Sequence, residues 1–432
     1  MTHPHSPEPT GRPTSPRIHG LDIARAVAII GMMAAHLGPW AGRPALAEPA
    51  TWPAVVNGYP SALFAVLAGV SIGIIARKGV AAGGVELLRS RMRLGARAVI
   101  LIALGLVLAS LQSEVMVVLV PMGAMFLVVL PLVTARTTTV AGVAAALAVL
   151  GPLVMAPARV FPELVTNPTV RDAIVFTYPL TAWAFYGLVG LLIHRLVLRF
   201  PARWPWVATA GAVVALAAGF LWSALVPALG VGVSGADLDV AWDDGVGGVN
   251  WAASVGPPIV DAALDPELPA VPGTALEAAE SGAAASGAGM GTGERLLGAF
   301  VDGSAHAAGL FDVVGAAAAS LAAIAVLLMV GRTRIGAAAL HPLRMMGSMS
   351  LTVYVAHVVG FPVIDLAGLA VPAIAEVEPE TWLIASIIAA MLFAVAWKAG
   401  HRRGPLEEIM HRAAEHAARI DVPASGRAGG TS

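Results

Sequence analysis

Three ionisable residues lie along one face of the first long apolar stretch of the sequence, residues 20–40. Asp22 and Arg25 are three residues apart, and His36 follows Arg25 by eleven residues. At about 100° per residue in an α-helix, all three fall within roughly 60° of one another. Because an imidazole can take a proton from a hydroxyl near neutral pH, or accept an acyl group itself, His36 is a candidate general base or nucleophile.

The two ends of this stripe are far apart. At a rise of about 1.5 Å per residue, His36 lies about 17–21 Å from the Asp22–Arg25 pair. The histidine therefore needs another partner. Ionisable groups are costly in hydrocarbon, and those inside membrane helices commonly mark a functional site. The alternative interpretation is structural: Asp22 and Arg25 anchor one interface, and His36 reaches the other. The stripe alone leaves both interpretations open.

A second polar stripe lies in the apolar stretch 347–370, where Ser350, Tyr354 and His357 have the i, i+4, i+7 spacing of one helix face. His357 is predicted near mid-membrane, where it should need a hydrogen-bonding partner. Tyr354 and His357 are candidate catalytic helpers of His36, or else the stripe joins neighbouring helices. His306 precedes another apolar stretch and is interpreted either as a third helper or as an exposed loop histidine.

The elements that must position these residues are membrane-spanning helices. Of the 432 residues, 57% are hydrophobic and only 12% are charged, whereas a soluble domain carries about 25% charged residues. Apolar runs of about 20 residues can cross a hydrocarbon core of roughly 30 Å as helices. We therefore predict an all-α polytopic integral membrane protein with about ten transmembrane helices, at residues 20–40, 55–76, 94–112, 115–135, 138–157, 173–194, 206–228, 308–330, 347–370 and 381–399.

Basic residues predict the orientation of these helices. Arg77, Lys78, Arg89, Arg91, Arg93 and Arg97 follow the second apolar run, and further arginines follow the fourth, sixth, eighth and tenth runs. Since basic loops stay in the cytoplasm, both termini are predicted to be cytoplasmic. The predicted organisation is a disordered cytoplasmic N-terminus (1–19), seven membrane helices (20–228), a long acidic Ala/Gly-rich extracytoplasmic segment (229–307), three membrane helices (308–400) and a cytoplasmic tail (401–432).

The residue types and motifs that the sequence lacks limit the reactions that the protein can catalyse. The absence of cysteine excludes disulfides and thiolate chemistry, and no P-loop, zinc-protease or Gly-x-Ser-x-Gly motif occurs. Nucleotide hydrolysis, zinc proteolysis and a soluble hydrolase are therefore unsupported. We also expect no bound metal, no permanently bound cofactor and no nucleic-acid partner. The spacing of Gly69 and Gly73 predicts close helix packing. Tyr178, Trp183 and Tyr186 are interpreted as an interfacial aromatic belt or as a substrate wall.

Four segments, in this order and spacing, resemble the transmembrane acyltransferase group that includes heparan-α-glucosaminide N-acetyltransferase and its bacterial relatives. They are spread from residue 17 to about residue 412 and therefore cover most of the chain. The segments are "RIHGLDIARAVAIIGMMAAH", "PSALFAVLAGVSIGI", "TYPLTAWAFYGLVGLLIHRL", and "MGSMSLTVYVAHVV" followed by "RRGPLEEIMHR".

The resemblance implies transfer of an acyl group, acetyl above all, from cytosolic acyl-CoA to a sugar or cell-envelope glycan acceptor on the outer side of the cell membrane. It also places His36 where this group has its histidine, at the end of the first conserved helix. We expect acyl-CoA to approach near Asp22, Arg25 and the basic segment, with Arg89, Arg91 and Arg93 gathering its phosphates. The alternatives are a transporter or permease of a small polar or lipid-linked solute, and a non-catalytic membrane subunit. The sequence does not specify the oligomeric state.

Overall fold

The computed structural model describes residues 18–38, 49–111, 115–161, 164–166, 178–229 and 291–419. Within these residues the regular structure is entirely helical, and three short 3₁₀ helices accompany the α-helices at Pro49–Val56, Leu130–Thr134 and Pro201–Arg203. The α-helices are α1 (His19–Leu37), α2 (Tyr59–Ala82), α3 (Gly84–Ala109), α4 (Leu119–Val129), α5 (Thr137–Val160), α6 (Leu180–Leu196), α7 (Trp204–Leu229), α8 (Thr292–Val301), α9 (Leu310–Arg332), α10 (Arg334–Ala339), α11 (His341–Gly347), α12 (Ser350–Ala370), α13 (Pro372–Ala375), α14 (Pro379–Gly400) and α15 (Pro405–Ala417).

Ten helices correspond in order to the ten predicted apolar runs. Eight of the described helices, namely α1, α2, α3, α5, α7, α9, α12 and α14, are long and apolar enough to cross a membrane. The other two, α4 with its 3₁₀ extension (Leu119–Thr134) and α6, are apolar but shorter. The protein is therefore an all-α, multi-pass membrane protein, as the sequence predicts.

The fourth apolar run differs from its predicted span of residues 115–135. Its α-helix begins at Leu119 and tightens into a 3₁₀ helix from Leu130. Pro131 explains the change, because proline supplies no N–H for the α-helical ladder. Arg195 of α6 donates hydrogen bonds to the carbonyl oxygens of the last turn, at Leu132 (3.3 Å), Val133 (2.8 Å) and Ala135 (2.9 Å).

The helices alternate in direction, so that the ends predicted to lie on one side of the membrane meet. His36, Gly58, Val118, Tyr178 and His306, at or beside the ends of α1, α2, α4, α6 and α9, all line one cavity. We call this the outer end of the bundle. At the opposite, inner end lie Asp22, Arg93 and Glu415, and α15 joins α3 there through the Arg93–Glu415 ion pair. The cytoplasmic location of the inner end stays a prediction from the basic residues.

Small residues let α2 and α6 approach closely. A Cβ built on Gly69 would lie 2.2 Å from the carbonyl oxygen of Gly187, and one built on Gly190 would lie 2.1 Å from that of Val66. Only glycine fits such backbone contacts, so the close packing predicted from the Gly69–Gly73 spacing is confirmed.

Parts of the predicted organisation fall outside the described residues: 1–17 of the N-terminus, 230–290 of the long acidic segment and 420–432 of the tail. The described remainder of the acidic segment contains α8, whose Ala299 packs against Ala156 and Val160 of α5. Arg295 of α8 also donates to the carbonyl oxygen of Val160 at 3.2 Å. The loop that follows α8 is thereby held against the outer end of the bundle.

Candidate functional site

The two histidines of the polar stripes meet at the outer end of the bundle. His36 Nδ1 lies 3.2 Å from His357 Nε2, and the two rings are nearly parallel, with centroids 5.5 Å apart and an interplanar angle of 14°. Phe361 packs edge-on against both rings. His357 is buried and His36 is half-buried beside the cavity. The partner that each histidine needs in the membrane is therefore the other histidine.

This pairing determines which nitrogen of His36 can act as a base. A neutral imidazole has one N–H and one lone pair, so one ring donates and the other accepts. When His36 donates from Nδ1, its Nε2 carries the lone pair that a general base needs. The second histidine then orients the first, as the orienting residue does in catalytic dyads and triads.

Tyr354 places a hydroxyl group on the same cavity. Its side chain is only 1% exposed, and its oxygen accepts a hydrogen bond from the backbone N–H of Val118 at 3.0 Å. The hydroxyl proton has no acceptor among the residues that the structure describes. Tyr354 can therefore donate a hydrogen bond to a bound ligand, for example to an oxyanion.

His306 reaches the cavity from the loop between α8 and α9, where it and Ala308 have left-handed backbone angles (φ 62° and 50°). The loop is held by carboxylates on either side of it. Asp302 accepts hydrogen bonds from the backbone N–H and the hydroxyl of Ser304, and Asp312 accepts from the N–H of Ala308 at 2.8 Å. Non-glycine residues in this region are strained, so His306 stays there only because its surroundings hold it.

Arg159 of α5 lies behind this loop and donates to the carbonyl oxygen of His306 at 3.2 Å. Burial, together with the neighbouring Arg159 guanidinium, lowers the pKa of the His306 ring to about 4. The ring is therefore neutral at pH 7 and can accept a hydrogen bond. The structure thus makes His306 a wall of the cavity, whereas the sequence left an exposed loop histidine open as an interpretation.

One cavity at the outer end contains His36, His306 and Tyr354. A second cavity shares Gly58, Ser61, Tyr178 and His306 with it. The second cavity adds Trp183, Tyr186 and Asp312 to the lining. Tyr178, Trp183 and Tyr186 are each less than 10% exposed, so they form cavity walls and not an exposed aromatic belt.

Sequence reasoning missed several residues of this region. Ser61, Val118, Arg159 and Asp312 reach the cavities or support them through contacts between distant helices. An aspartate inside an apolar run was the one available signal, because Asp312 lies four residues after the start of the predicted span 308–330 and two residues after Leu310, where α9 begins.

Asp22 and Arg25 form a separate polar group at the inner end. The Arg25 guanidinium lies 2.8 Å from the Asp22 carboxylate and donates to the Ser71 hydroxyl of α2 at 2.9 Å. Asp22 is buried and Arg25 is half-buried, so the pair lies inside the bundle and does not simply anchor an interface. As its position in the sequence predicts, it does not contact His36.

The arginines expected to gather phosphates are already engaged within the protein. Arg89 pairs with Glu86 at 2.5 Å, and Arg91 donates to the Thr134 hydroxyl at 3.3 Å. Arg93 contacts both carboxylate oxygens of Glu415, at 2.8 and 3.1 Å. A phosphate at these positions would have to compete with a carboxylate for Arg89 and for Arg93.

The described residues contain no group of three or more His, Asp or Glu side chains arranged to hold a metal ion. The chemistry that these side chains can perform is proton transfer by imidazole, hydrogen-bond donation by a tyrosine hydroxyl, and binding of a polar ligand between aromatic walls.

A family model described as "Protein of unknown function (DUF418)" matches residues 283–416 of the chain. No curated protein and no solved structure matches the chain. The matched segment runs from just before α8 into α15, so it includes His306, Tyr354 and His357, whereas His36 lies outside it. The chain is similar to that family over the part that supplies three of the four predicted catalytic residues.

Proposed function

We propose that this protein is a membrane-bound acyltransferase that moves an acyl group, acetyl above all, from cytosolic acyl-CoA to a sugar or cell-envelope glycan on the outer side of the cell membrane. The observation that carries the proposal is the His36–His357 hydrogen bond of 3.2 Å at the edge of a cavity that also contains Tyr354. A histidine oriented by a second group beside a ligand cavity is the arrangement that general-base and nucleophilic catalysis require.

In the general-base route, His36 Nε2 takes the proton of an acceptor hydroxyl as its oxygen attacks the thioester carbonyl carbon. The new C–O bond forms, and the oxyanion of the tetrahedral intermediate accepts a hydrogen bond from Tyr354. The C–S bond then breaks, and the leaving CoA thiolate takes the proton from His36. An amine acceptor follows the same sequence with a C–N bond.

The covalent route uses the same residues in two steps. His36 Nε2 attacks the thioester carbonyl carbon, an N–C bond forms, and the C–S bond breaks. The CoA thiolate leaves and takes up the proton that His36 Nδ1 loses when its ring is acylated. The acceptor hydroxyl then attacks the acyl-imidazole, and its proton returns to the imidazole as the acyl group leaves. Both routes require one nitrogen of His36 to face the acceptor and the other to be held by His357.

The lining of the second cavity has the kinds of side chain that bind a sugar-like acceptor. Trp183, Tyr178 and Tyr186 provide aromatic surfaces, and Ser61 and Asp312 provide polar groups for hydroxyls. Pockets for small ligands combine mostly apolar walls with a few polar groups that fix the orientation. The shared wall at His306 would then bring an acceptor hydroxyl from this cavity towards His36.

The donor would reach His36 from the inner end. Asp22, Arg25 and Ser71 lie on the helices α1 and α2 that lead to the cavity, about 17–21 Å below His36. The thioester of acyl-CoA is at the end of a long flexible arm, and this arm would run along α1 while the nucleotide stays in the cytosol.

Incubation of the purified protein in lipid nanodiscs with radiolabelled acetyl-CoA and a panel of cell-envelope glycans tests the proposal. We expect label to appear on a glycan, and His36→Ala to lower the rate by about 10²–10⁴-fold. His401→Ala, which changes an exposed histidine at the inner end, is the matched control and should keep the full rate. Near-normal transfer by His36→Ala would contradict the proposal. Uptake of a solute into closed vesicles that contain the protein, without covalent transfer, would favour the transporter alternative.

A further inference from the structure

A group of basic residues lies where α2 and α6 end at the inner end of the bundle. His194 of α6 is only 8% exposed, and its Nδ1 atom is buried without a hydrogen-bond partner among the described residues. Arg77, Arg195 and Arg199 are close enough to act electrostatically on its ring. We call Arg77, His194 and Arg199 the basic cluster. Arg195 is not included because its guanidinium donates hydrogen bonds to carbonyl groups at the end of the 3₁₀ helix Leu130–Thr134.

The position of His194 is set by the close packing of the two helices. A Cβ built on Gly73 of α2 would lie 2.5 Å from Cδ2 of the His194 ring, so the ring occupies the space that a larger side chain would fill. The imidazole is thereby held against α2 at Gly73, which precedes Arg77 by four residues on that helix. Residues four apart are neighbours on a helix surface, which brings the Arg77 side chain to the same region as His194.

Arg77 and Arg199 differ from the arginines of α3. Both are exposed, and neither forms a hydrogen bond or an ion pair with a residue that the structure describes. By contrast, Arg89 and Arg93 are neutralised by Glu86 and Glu415. Both guanidinium groups act on the His194 ring. Like charges near one site repel one another, and a bound anion reduces that repulsion.

We infer that the basic cluster binds a phosphate group at the inner end of α2 and α6. A phosphate offers several acceptor oxygens, and each guanidinium fork can donate two parallel hydrogen bonds to it. The cluster also continues the polar path from Asp22 and Arg25, because Ser71, which accepts from Arg25, precedes Arg77 by six residues, or about 9 Å along α2.

Two phosphate sources reach this position: the nucleotide of a soluble donor, and the headgroup of an anionic lipid. The identification of the soluble source as CoA rests on the proposed function, whereas the binding of a phosphate does not. If CoA is the ligand, its phosphates lie at Arg77 and Arg199, and not at Arg89, Arg91 and Arg93 as the sequence suggested.

Binding measurements that need no acyl transfer test this inference. In the first arm, the full-length protein in nanodiscs of neutral phosphatidylcholine is titrated with CoA. In the second arm, the protein is taken from nanodiscs that also contain phosphatidylglycerol, and the phosphatidylglycerol that stays bound to it is measured. The variant is Arg77→Gln combined with Arg199→Gln. The matched control is Arg334→Gln, which removes another exposed arginine of the inner end, on α10.

We expect the double variant to weaken binding at least tenfold in one of the two arms, with a smaller effect at high salt because of screening. Loss of CoA binding identifies the nucleotide as the source, and loss of phosphatidylglycerol retention identifies the lipid. Unchanged binding in both arms, or an equal loss in Arg334→Gln, overturns the inference. Acyl transfer with unchanged binding in both arms overturns this site alone, and CoA binding at the cluster without any transfer overturns the proposed function alone.

Discussion

His36 Nδ1 of α1 and His357 Nε2 of α12 lie 3.2 Å apart, although 321 positions separate them in the sequence. The hydrogen bond joins a helix outside the DUF418 match to a helix inside it. Phe361, one turn after His357, contacts both rings and helps to hold them in place. The proposed base and its orienting group are thus on different helices, and their alignment depends on how α12 packs against α1.

Replacing His357 should lower acyl transfer through its effect on His36. In His357→Leu the Nδ1 atom of His36 loses its partner, and we expect the transfer rate to fall at least tenfold. In His357→Gln the side-chain amide can take the place of Nε2 and hold the same bond, so part of the rate should return. Transfer of radiolabelled acetyl groups in nanodiscs measures both rates.

A purely structural role for His357 gives a different result. Both variants would then lose activity only in proportion to the amount of folded protein, which thermal unfolding in detergent measures. If His357→Leu keeps the wild-type rate per folded molecule, the pairing with His36 has no part in catalysis.

The sequence predicted the two polar stripes but not their meeting. Helical periodicity shows which residues of one helix share a face, and it contains no information on which other helix that face meets. His36 and His357 were each found because an ionisable group in an apolar run needs a partner. Their pairing required the packing of α1 against α12, which a single sequence does not specify.

The loop at His306 shows another limit of sequence reasoning. Its residues read as an ordinary polar connection, and the strained backbone at His306 and Ala308 is set by Asp302, Asp312 and Arg159 from three different elements. Likewise, counting basic residues made Arg93 a candidate phosphate ligand, because its partner Glu415 is 322 positions away. Charge counts predict the side of the membrane, and contacts decide which charges are available.

The ends of α14 provide a test of the predicted orientation. This helix of 22 residues is long enough to cross the hydrocarbon core. Exposed Glu378 precedes it and exposed Arg402 follows it. Because the chain has no native cysteine, we expect a membrane-impermeant maleimide to label Glu378→Cys in intact cells and Arg402→Cys only after permeabilisation. Labelling of both positions in intact cells, or of Arg402→Cys alone, would contradict the orientation.

Glu407 of α15 should stabilise the start of α12. Its carboxylate accepts hydrogen bonds from the backbone N–H groups of Leu351 (2.7 Å) and Thr352 (3.2 Å), and from the Thr352 hydroxyl (2.6 Å). The first N–H groups of a helix have no partner within it, and loss of such a cap costs about 0.5–2 kcal/mol. We therefore expect Glu407→Ala to lower the unfolding temperature and to speed amide hydrogen exchange at Leu351 and Thr352.

The neighbouring Glu408 is the matched control for this prediction. Its exposed carboxylate pairs with Arg403 at 3.0 Å and with Arg412 at 2.8 Å and does not cap α12. Exposed ion pairs contribute little to stability, so Glu408→Ala should leave exchange at Leu351 and Thr352 unchanged. Equal exchange in the two variants would show that the contacts of Glu407 do not stabilise α12.

The neutral His306 ring should make the stability of the folded protein depend on pH. In the folded protein burial and Arg159 hold its pKa at about 4, whereas in the unfolded chain the ring has the ordinary pKa of about 6.5. Between these two values the unfolded chain binds a proton that the folded protein does not, so the free energy of unfolding falls as the pH drops from about 6.5 to about 4.

His306→Asn removes this contribution, and asparagine tolerates the left-handed backbone angle. We expect a shift from about pH 7.5 to about pH 5 to lower the unfolding temperature less in His306→Asn than in the wild-type protein, while His401→Asn, which changes an exposed histidine, should respond as the wild type does. Equal shifts in His306→Asn and the wild type would mean that the ring is protonated in the folded protein as readily as in the unfolded chain, which would contradict its burial beside Arg159.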